Sequence, residues 1–405
     1  MMRILYLVHQ FFPNWYTGTE RFAFEVASQL QRMGHEPIFV TYEPSGDVRD
    51  FEKLTRSVMV KRYSYHSINV IALKHMAPSN PSELFKQSIE EAGRRLSLDS
   101  DIVHVCHPMW LSSIAKLCKE RSKPMVMTLT DTWLLCPHML LDRNRRLCNG
   151  PTSDGGCTNC NMGQGMMSRL QDARVAYDMP DRLTAPSHFI KAIFAKNGWN
   201  RNISVVRHGV NYSKVKYVNR SSKPKEVTFG YIGTLAWHKG VHVLVKAARI
   251  ASNRNIKVKI YGSHHEVHLP YFRSLQDLAG SDERIQFLGF FKDEELPEIM
   301  ADLSAVIIPS TYYEPFGLSA VTALAYKIPP LASNIAGLSE IVKNGFNGFL
   351  FEMGNYNELA GIMDTIASKP EILDNIRNNI STPKRIEEEA LDYENMYRSL
   401  TSQTK

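Results

Sequence analysis

The segment VTFGYIGTLAWHKGVHVLVKAA, residues 227–248, places a strand, a glycine-containing loop and a helix in immediate succession. The run Val227–Ile232 is rich in β-branched and aromatic residues and stops at Gly233, which predicts a buried strand. Apolar residues then recur at helical spacing, at Val241, Leu244, Val245 and Ala248. A strand that leads through a short loop into a helix is the repeating unit of a parallel sheet covered by helices.

The same pattern occurs in two series along the chain. The first series predicts strands at Ile4–Val8, Pro37–Thr41, Ile102–Cys106 and Met125–Leu129. The second series predicts strands at Val227–Ile232, Lys257–Tyr261, Ile285–Leu288 and Ala305–Pro309. A polar and basic segment, residues 211–225, separates the two series. We therefore predict an α/β protein with two Rossmann-like, doubly wound domains, whose ligand sites lie beyond the carboxyl ends of the strands and share a cleft.

The predicted domain boundaries follow from this pattern. Residues 1–205 form the N-terminal domain, residues 206–384 form the C-terminal domain, and residues 385–405 form a final helix. This helix has an apolar stripe at Ile386, Ala390, Tyr393 and Tyr397. Such a stripe must pack against one of the domains.

Composition excludes several classes of protein. The chain has 405 residues, 43% hydrophobic and 22% charged, which is typical of a globular protein with two domains. No apolar run approaches the ~20 residues of a membrane helix. The run Ile4–Val8 is too short for a secretory signal, so a cytoplasmic protein is expected. No Arg/Gly-rich tract or zinc-finger helix indicates a nucleic-acid partner.

The positive charge is concentrated in the N-terminal half. The net charge is +7, and residues 1–205 hold 25 Lys and Arg against 19 Asp and Glu, or +6. This excess predicts an anionic partner or peripheral contact with the inner face of the cell membrane. Ordinary solvated surface charge is the alternative.

Two loops carry candidate binding residues. Gly233–Gly240 lies between a strand and a helix N-terminus, where glycines, the helix dipole and Lys239 favour a phosphate. The alternative is a tight turn with a surface lysine. In the second loop, Glu314-Pro315-Phe316-Gly317-Leu318 precedes another helix, and Glu314 can accept hydrogen bonds from two sugar hydroxyls. Taken alone, Glu314 is more typical of a solvated loop, but the two loops together favour a site for an activated sugar.

These segments resemble the retaining glycosyltransferases of family 4, which have the GT-B fold and use nucleotide-diphosphate sugars. The resemblance extends over nearly the whole chain. The matching pieces are Tyr6–Pro13, Gly18–Arg21, Leu129–Pro137, Gly233–Gly240, Phe287–Gly289, Pro309–Leu324, Gly337–Val342 and Asn344–Gly348. It implies that the final helix crosses back to the N-terminal domain.

The resemblance also implies roles for individual residues. Lys239 neutralises the donor diphosphate, Glu314 holds sugar hydroxyls, and Gly18 lets an N-terminal loop close over the phosphates. The other donor-binding positions that it implies are Gly233, Thr234, Gly240, Phe316, Gly317, Leu318, Ser319 and Thr322. Catalysis in this family is largely positioning and stabilisation of the leaving diphosphate, without a catalytic metal ion.

Three threonines depart from the commonest family pattern. Thr322 stands where a glutamate usually binds the nucleotide ribose, Thr234 where an arginine often assists Lys239, and Thr130 where a histidine often faces the donor sugar. Losing the glutamate removes a charge-assisted hydrogen bond worth roughly 1.5–3 kcal/mol, so donor binding weakens ~10- to 100-fold. We expect Asp131 to carry part of the role at position 130. Arg207 or His208 is a candidate replacement for the missing cation.

His107 is the remaining candidate catalytic residue, together with Glu314, Lys239 and Asp131. It follows the predicted strand Ile102–Cys106 directly, at the end that faces the cleft. A contact with acceptor or donor and a purely structural, hydrogen-bonded histidine are equally compatible with that position.

Four cysteines form a cluster within the predicted insertion, residues 136–160. Cys136, Cys148, Cys157 and Cys160 have the spacing of a closed, tetrahedral zinc site that ends in a C-x2-C pair. Some family members carry a similar cysteine-rich insertion here. An iron–sulfur cluster, free thiols and two disulfides are the alternatives, and disulfides are disfavoured in the cytoplasm. Cys106 and Cys118 are predicted to be core residues.

The same insertion contains an apolar run followed by a basic one. The apolar residues are Met139, Leu140 and Leu141, and the basic residues are Arg143, Arg145 and Arg146. They predict either contact with a membrane or lipid-linked diphosphate, or a core beneath the cysteine cluster.

The leading hypothesis is a retaining glycosyltransferase that moves a hexosyl or N-acetylhexosaminyl group from a UDP- or GDP-sugar to a glycan or lipid-linked acceptor. Synthesis of cell-surface polysaccharide or glycoconjugate is the expected setting. The alternative is a catalytically altered nucleotide-sugar or glycan-binding subunit that needs a partner. A glycan phosphorylase is disfavoured, because no motif indicates a lysine-linked pyridoxal phosphate.

Overall fold

The chain forms two compact units. Unit 1 comprises Met1–Pro137, Asn149–Gly209 and Ile386–Lys405, and unit 2 comprises His138–Cys148 and Val210–Arg385. The computed structural model describes residues 1–44, 49–77, 82–142, 144–151, 157, 163–216, 226–264 and 266–402. For residues 163–167 it describes the backbone only.

The strands of the described residues are β1 Arg3–Val8, β2 Glu36–Tyr42, β3 Glu52–Lys53, β4 Val58–Tyr65, β5 Ile68–His75, β6 Ile102–Val105, β7 Met125–Thr128, β8 Arg182–Ala185, β9 Ile203–Val205, β10 Val227–Ile232, β11 Ile256–Tyr261, β12 Ile285–Gly289, β13 Ala305–Ile308, β14 Pro330–Ser333 and β15 Phe349–Phe351. The α-helices are α1 Gly18–Arg32, α2 Glu83–Arg95, α3 Ser112–Glu120, α4 Gly163–Asp178, α5 His188–Lys196, α6 Val241–Ile250, α7 Leu269–Ala279, α8 Leu296–Asp302, α9 Leu318–Ala325, α10 Ala336–Ile341, α11 Tyr356–Ser368, α12 Glu371–Asn379 and α13 Ile386–Ser402.

Unit 1 is built on a sheet of nine strands in the order β3-β4-β5-β2-β1-β6-β7-β8-β9. The strands from β5 to β9 along this order are parallel, whereas β4 pairs antiparallel with β3 and β5. β1 lies between β2 and β6, with Tyr6 opposite both Phe39 and His104. The carboxyl ends of β1, β6 and β7 therefore lie side by side, as in doubly wound sheets.

The final helix belongs to unit 1. α13 packs against α1, and the side chains of Ile386, Ala390, Tyr393 and Tyr397 are buried in the same apolar cluster as β1. Burial of one face of α13 explains the apolar stripe in its sequence. The helix crosses back to the N-terminal half of the chain, as predicted.

Unit 2 is built on a parallel sheet of six strands in the order β12-β11-β10-β13-β14-β15. Alternate residues of its central strands enter different apolar clusters: Ala305 and Ile307 of β13 pack on one face, and Val306 and Ile308 pack on the other. A strand buried on both faces reads as a continuous apolar run. This is why the sequence predicted these strands.

The structure confirms the predicted pair of Rossmann-like sheets and corrects details. Each predicted strand is present within one or two residues. The antiparallel pair β4 and β5 was not predicted, because β4 has one exposed face and its polar residues resemble a loop. The segment His138–Cys148, which the sequence placed in the N-terminal domain, groups with unit 2.

Candidate functional site

Lys239 and Glu314 form the centre of a polar cluster in unit 2. The Lys239 Nζ lies 3.0 Å and 3.2 Å from the two carboxylate oxygens of Glu314 and 2.8 Å from the Tyr312 hydroxyl. The Tyr312 hydroxyl donates to Glu314 Oε1 at 2.9 Å, and Ser310 Oγ donates to Oε2 at 3.0 Å. The sequence separately predicted Lys239 and Glu314 as catalytic residues, and the structure brings them into direct contact.

Glu314 is ionised at neutral pH despite its burial. Burial by itself would raise the pKa of this carboxyl, but the Lys239 charge and the hydrogen bonds from Lys239, Tyr312 and Ser310 outweigh burial and hold the pKa below its ordinary value. The Glu314 side chain is only 12% exposed and that of Lys239 is 28% exposed. A charge-assisted network of this kind is stronger than one of neutral groups. This network fixes two opposite charges in the loops that follow β10 and β13.

Gly240 allows the loops after β10 and β13 to approach each other. Gly240 has φ +72°, and a Cβ placed on it would lie 1.7 Å from the carbonyl oxygen of Pro309. The backbone N–H of Thr311 donates to the carbonyl of His238 at 2.8 Å across the same contact. The loops after β10 and β13 are therefore joined directly, which positions Lys239 against Glu314.

The predicted donor-binding residues after Glu314 surround the start of α9. Gly317 precedes this helix with φ +99°, and Leu318 and Ser319 lie in its first turn. The first N–H groups of a helix have no partner within the helix, which favours an anion. Thr322 lies one turn beyond Ser319 and is half-buried, whereas Phe316 is buried. In the first loop, the carbonyl of Thr234 accepts a hydrogen bond from the Tyr231 hydroxyl at 2.8 Å.

A second cluster lies in unit 1, beyond the ends of β6 and β7. His107 Nε2 lies 3.4 Å from Asp131 Oδ2, and the Met109 amide donates to His107 Nδ1 at 3.3 Å. Because Nδ1 accepts, Nε2 carries the imidazole proton and faces the carboxylate. The other oxygen of Asp131 accepts from the Trp133 amide at 2.8 Å. The predicted catalytic residues His107 and Asp131 therefore form a pair.

The sequence analysis did not single out His9 and Glu20, which extend this cluster. The rings of His9 and His107 are 4.1 Å apart, and His9 Nε2 lies 3.6 Å from Glu20 Oε1. Burial lowers the pKa of His9 well below its ordinary value, and burial also raises the pKa of Glu20. The His9 imidazole is therefore neutral at pH 7. His9 follows β1 directly, so its place at the carboxyl end of a central strand was a usable signal.

Burial is also offset at Asp131. Burial would raise the pKa of its carboxyl, but hydrogen bonds from His107 and from the Trp133 amide hold it below the ordinary value. Thr130, beside it, donates to the Cys106 carbonyl at 3.3 Å and accepts from the Thr19 hydroxyl at 3.0 Å. Gly18, predicted to bind donor phosphates, is the exposed first residue of α1.

Three of the four predicted metal ligands lie in the described part of the chain. Cys136 is buried, and Cys148 and Cys157 are half-buried. Cys160 lies outside the described residues, within which no group of three or more His, Cys, Asp or Glu side chains could hold a metal ion.

The remaining candidates have structural partners. Leu140 and Leu141 are buried, so the apolar part of the insertion belongs to the core, whereas Arg145 and Arg146 are exposed. His208, a proposed replacement cation, lies 2.9 Å from Glu389 of α13 within unit 1. Arg207 is exposed. Cys106 and Cys118 are buried core residues, as predicted.

Two family models together match nine tenths of the chain. The model of Glycosyltransferase Family 4 matches residues 16–214, and the model of Glycosyl transferases group 1 matches residues 216–382. The chain belongs to glycosyltransferase family 4. Solved structures support the GT-B fold of this chain. Anabaena HepE in complex with UDP and glucose has a TM-score of 0.73 at 20% identity, with coverage of 99% of this chain and 100% of that one. Sucrose-phosphate synthase of Thermosynechococcus elongatus has a TM-score of 0.79 at 17% identity, with full coverage of both chains.

Curated relatives match this chain over shorter stretches. An uncharacterized glycosyltransferase of Methanocaldococcus jannaschii is 32% identical over 37% of this chain and 38% of its own length. A glycogen synthase of Mycobacterium tuberculosis is 27% identical over 42% of this chain and 40% of its own. The matches thus span well under half the length of these two relatives. In the described residues, no helix is long and apolar enough to cross a membrane.

Proposed function

We propose that this family 4 member is a retaining glycosyltransferase that transfers a hexosyl or N-acetylhexosaminyl group from a UDP- or GDP-sugar. The acceptor is a glycan or a lipid-linked molecule, as in the synthesis of cell-surface polysaccharides. The observation that carries the proposal is the Lys239–Glu314 cluster, placed between the loops after β10 and β13 and beside the start of α9. The UDP and glucose held by HepE support a UDP-linked donor.

The cluster suggests how a donor is received. Glu314 accepts hydrogen bonds from Lys239, Tyr312 and Ser310. Sugar hydroxyls can take the place of these donors, while the Lys239 ammonium turns to the donor diphosphate. The exchange keeps the carboxylate hydrogen-bonded and keeps the lysine paired with an anion. The first turn of α9 supplies further N–H groups for the leaving diphosphate, so its charge is stabilised as it develops.

The roles of unit 1 in this proposal are less direct. His107 and Asp131 are candidates for contact with the acceptor, because they lie at the carboxyl ends of strands, where doubly wound sheets bind ligands. The reaction needs no catalytic metal ion, since Lys239 and the helix N-terminus supply the positive charge. The four cysteines are proposed to hold a structural zinc ion.

The first experiment is a thermal-shift panel of UDP-, GDP-, ADP- and dTDP-sugars, followed by release of nucleotide from the best binder. We expect one donor to stabilise the protein and to be turned over slowly. Glu314→Gln should lower that rate ~10- to 100-fold, because a charge-assisted hydrogen bond is lost. Glu298→Gln, an exposed residue of α8, is the control. Equal rates for Glu314→Gln and the wild type would refute the site.

A catalytically altered, donor-binding subunit is the second candidate, and Thr322 on α9 is the observation that favours it. We expect Thr322→Glu to tighten nucleotide binding about tenfold or more by restoring a charged acceptor. Thr322→Gln, which lacks the charge, should gain much less. A tighter complex without any transfer of sugar to acceptor mixtures would favour the binding subunit. Transfer with retained anomeric configuration, as monitored by proton NMR, would favour the enzyme.

A further inference from the structure

A cavity of about 360 Å³ lies in unit 2, and neither Lys239 nor Glu314 lines it. Its wall is formed by the segment around Arg145, the first turns of α6, the turn between β15 and α11, and single residues of the loops after β10 and β13. The volume is within the range of sites that bind small molecules. No carboxylate side chain lines this cavity among the described residues.

Two cations at the cavity are held by aromatic rings rather than by carboxylates. The Arg145 guanidinium lies 4.8 Å from the centre of the Trp237 ring, and Lys246 Nζ lies 5.4 Å from the centre of the Tyr356 ring. Within the described chain, neither cation has an Asp or Glu partner at ion-pair distance. A ring orients a cation without neutralising its charge. Both side chains therefore remain available to an anion.

His242, between them on α6, adds a neutral donor. Its backbone N–H donates to the Tyr271 hydroxyl at 3.1 Å, and that hydroxyl lies 3.0 Å from its Nδ1. The hydroxyl accepts from the amide and donates its own proton to Nδ1, so Nε2 keeps the imidazole hydrogen. Burial, with the charges of Lys246 and Arg145, lowers the pKa of His242 to about 4. Among the polar side chains that line the cavity, His242 is thus a donor, and Arg145, Arg146 and Lys246 are cations.

Contacts within residues 141–147 hold the turn that carries Arg145. Leu141 and Leu147 form a β-bridge, and Asp142 accepts from the Arg146 amide at 2.9 Å and from the Arg146 Nε at 2.9 Å. Arg145 at the tip of this turn has φ +61°. Positive φ is uncommon for residues other than glycine, asparagine and aspartate, and it persists only where the surroundings hold it. The turn directs an arginine to the cavity at some cost in backbone energy.

We infer that this cavity is an oxyanion-binding site that takes a phosphate ester or a carboxylate carried on a sugar, bound between Arg145 and Lys246 with His242 as an additional donor. Arginine suits this task, because its planar fork matches the oxygens of phosphate and carboxylate. The oxyanion part of the assignment rests on the cavity alone, and the sugar part rests on the proposed function. Trp237 is shared with the Lys239 loop, so the site would bring an acidic sugar next to the donor loop.

The test is isothermal titration calorimetry of the full chain at low salt, with UDP present to occupy the donor site. The probes are glucose 6-phosphate and glucuronic acid, with glucose and inorganic phosphate as references. We expect one of the acidic sugars to bind at least about tenfold more tightly than glucose. The double variant Arg145→Gln/Lys246→Gln should lose that binding about tenfold or more, because charged hydrogen bonds are removed. Arg254→Gln/Lys369→Gln removes two exposed cations of the same unit and should change affinity less than about twofold.

The outcomes separate the possibilities. Failure of both acidic sugars to bind, or unchanged binding by Arg145→Gln/Lys246→Gln, overturns the site. If inorganic phosphate binds as tightly as glucose 6-phosphate, the oxyanion site is supported, and the assignment of a sugar ligand is refuted. Stabilisation by nucleotide sugars in the thermal-shift panel is read separately. Acidic sugars that bind a protein without any donor response would therefore contradict the proposed function and leave this site standing.

Discussion

The contact between Lys239 and Glu314 makes each residue dependent on the other. The two side chains are 75 positions apart in the sequence, and the carboxylate lies almost wholly out of water. A buried charge that loses its partner is strongly destabilising, whereas replacing both partners by neutral groups costs much less. The same pair that is proposed to bind the donor therefore also stabilises the free protein.

Lys239→Met should lower the free energy of unfolding by about 2–4 kcal/mol, because Glu314 is left buried without its cation. The double variant Lys239→Met/Glu314→Gln should recover at least half of that loss. Urea denaturation at pH 7 measures both. As a control, Lys259→Met breaks the pair with the half-exposed Asp302 and should cost less than about 1 kcal/mol. A double variant that is no more stable than Lys239→Met would show that the pair is not the cause.

At the scale of elements, the two loops meet where only glycine fits. Gly240 and Gly345 have the same φ of +72°, but a Cβ on Gly345 meets no atom within 4 Å. The two positions therefore separate backbone strain from steric clash. The loop after β10 needs glycine at position 240, because a side chain there would clash with Pro309 and push the loop away.

Gly345→Ala should cost about 1–2 kcal/mol of stability, the usual cost of left-handed backbone for an L-residue. Gly240→Ala should cost about 1–3 kcal/mol more, because the loops after β10 and β13 must separate. It should also weaken nucleotide-sugar binding, which Gly345→Ala should leave unchanged. Thermal unfolding and donor titration on both variants provide the comparison. Equal stability and binding would mean that the loops tolerate separation.

The insertion supplies a prediction about metal. Purified protein should contain one zinc ion per chain by elemental analysis, because four thiolates with this spacing form a closed tetrahedral set. Cys157→Ser should lower the zinc content and the thermal stability. Cys118→Ser is the control, since burial raises the pKa of that thiol to about 11 and keeps it a core thiol. Detection of iron together with sulfide would indicate an iron–sulfur cluster instead of a zinc ion. Protein that contains neither metal would contradict the prediction.

At the scale of the whole molecule, the end of the chain completes the core of unit 1. The Tyr397 hydroxyl of α13 lies 2.5 Å from Nδ1 of His104, whose Nε2 lies 2.7 Å from the Thr128 hydroxyl. His104 is fully buried, and burial lowers its pKa to about 3. His104 and Tyr397 thus join strand β6 to the last helix.

This histidine makes stability depend on pH. The unfolded chain protonates His104 near its ordinary pKa of about 6.5, whereas the folded chain does not until about pH 3. The contribution of neutral His104 to the free energy of unfolding is therefore fully present above pH 6.5. It falls by about 1.4 kcal/mol per pH unit below that, so about 2 kcal/mol is lost at pH 5. The measurement is the difference in unfolding free energy between pH 7.5 and pH 5. His104→Gln should show a smaller difference by that amount, and an identical pH dependence would contradict it.

Much of the fold could be predicted because its signals are local. Strands buried on both faces, such as β10 and β13, are continuous apolar runs, and glycines end them where the loops begin. β4 and β5 could not be predicted, because an antiparallel pair with an exposed face carries polar residues such as Lys61 and Arg62. The site was predicted as single residues, and their partners were not.

The sequence by itself determined the two series of strands and helices, the two glycine-containing loops and the candidates Lys239, Glu314, His107 and Asp131. Each depends on residues that are neighbours along the chain. Only the tertiary structure decided that Glu314 accepts from Lys239, that His9 and Glu20 join His107, and that Arg145 and Lys246 border one cavity. Such contacts join segments far apart in sequence, and they depend on how strands order in a sheet and how loops pack, which local patterns do not encode.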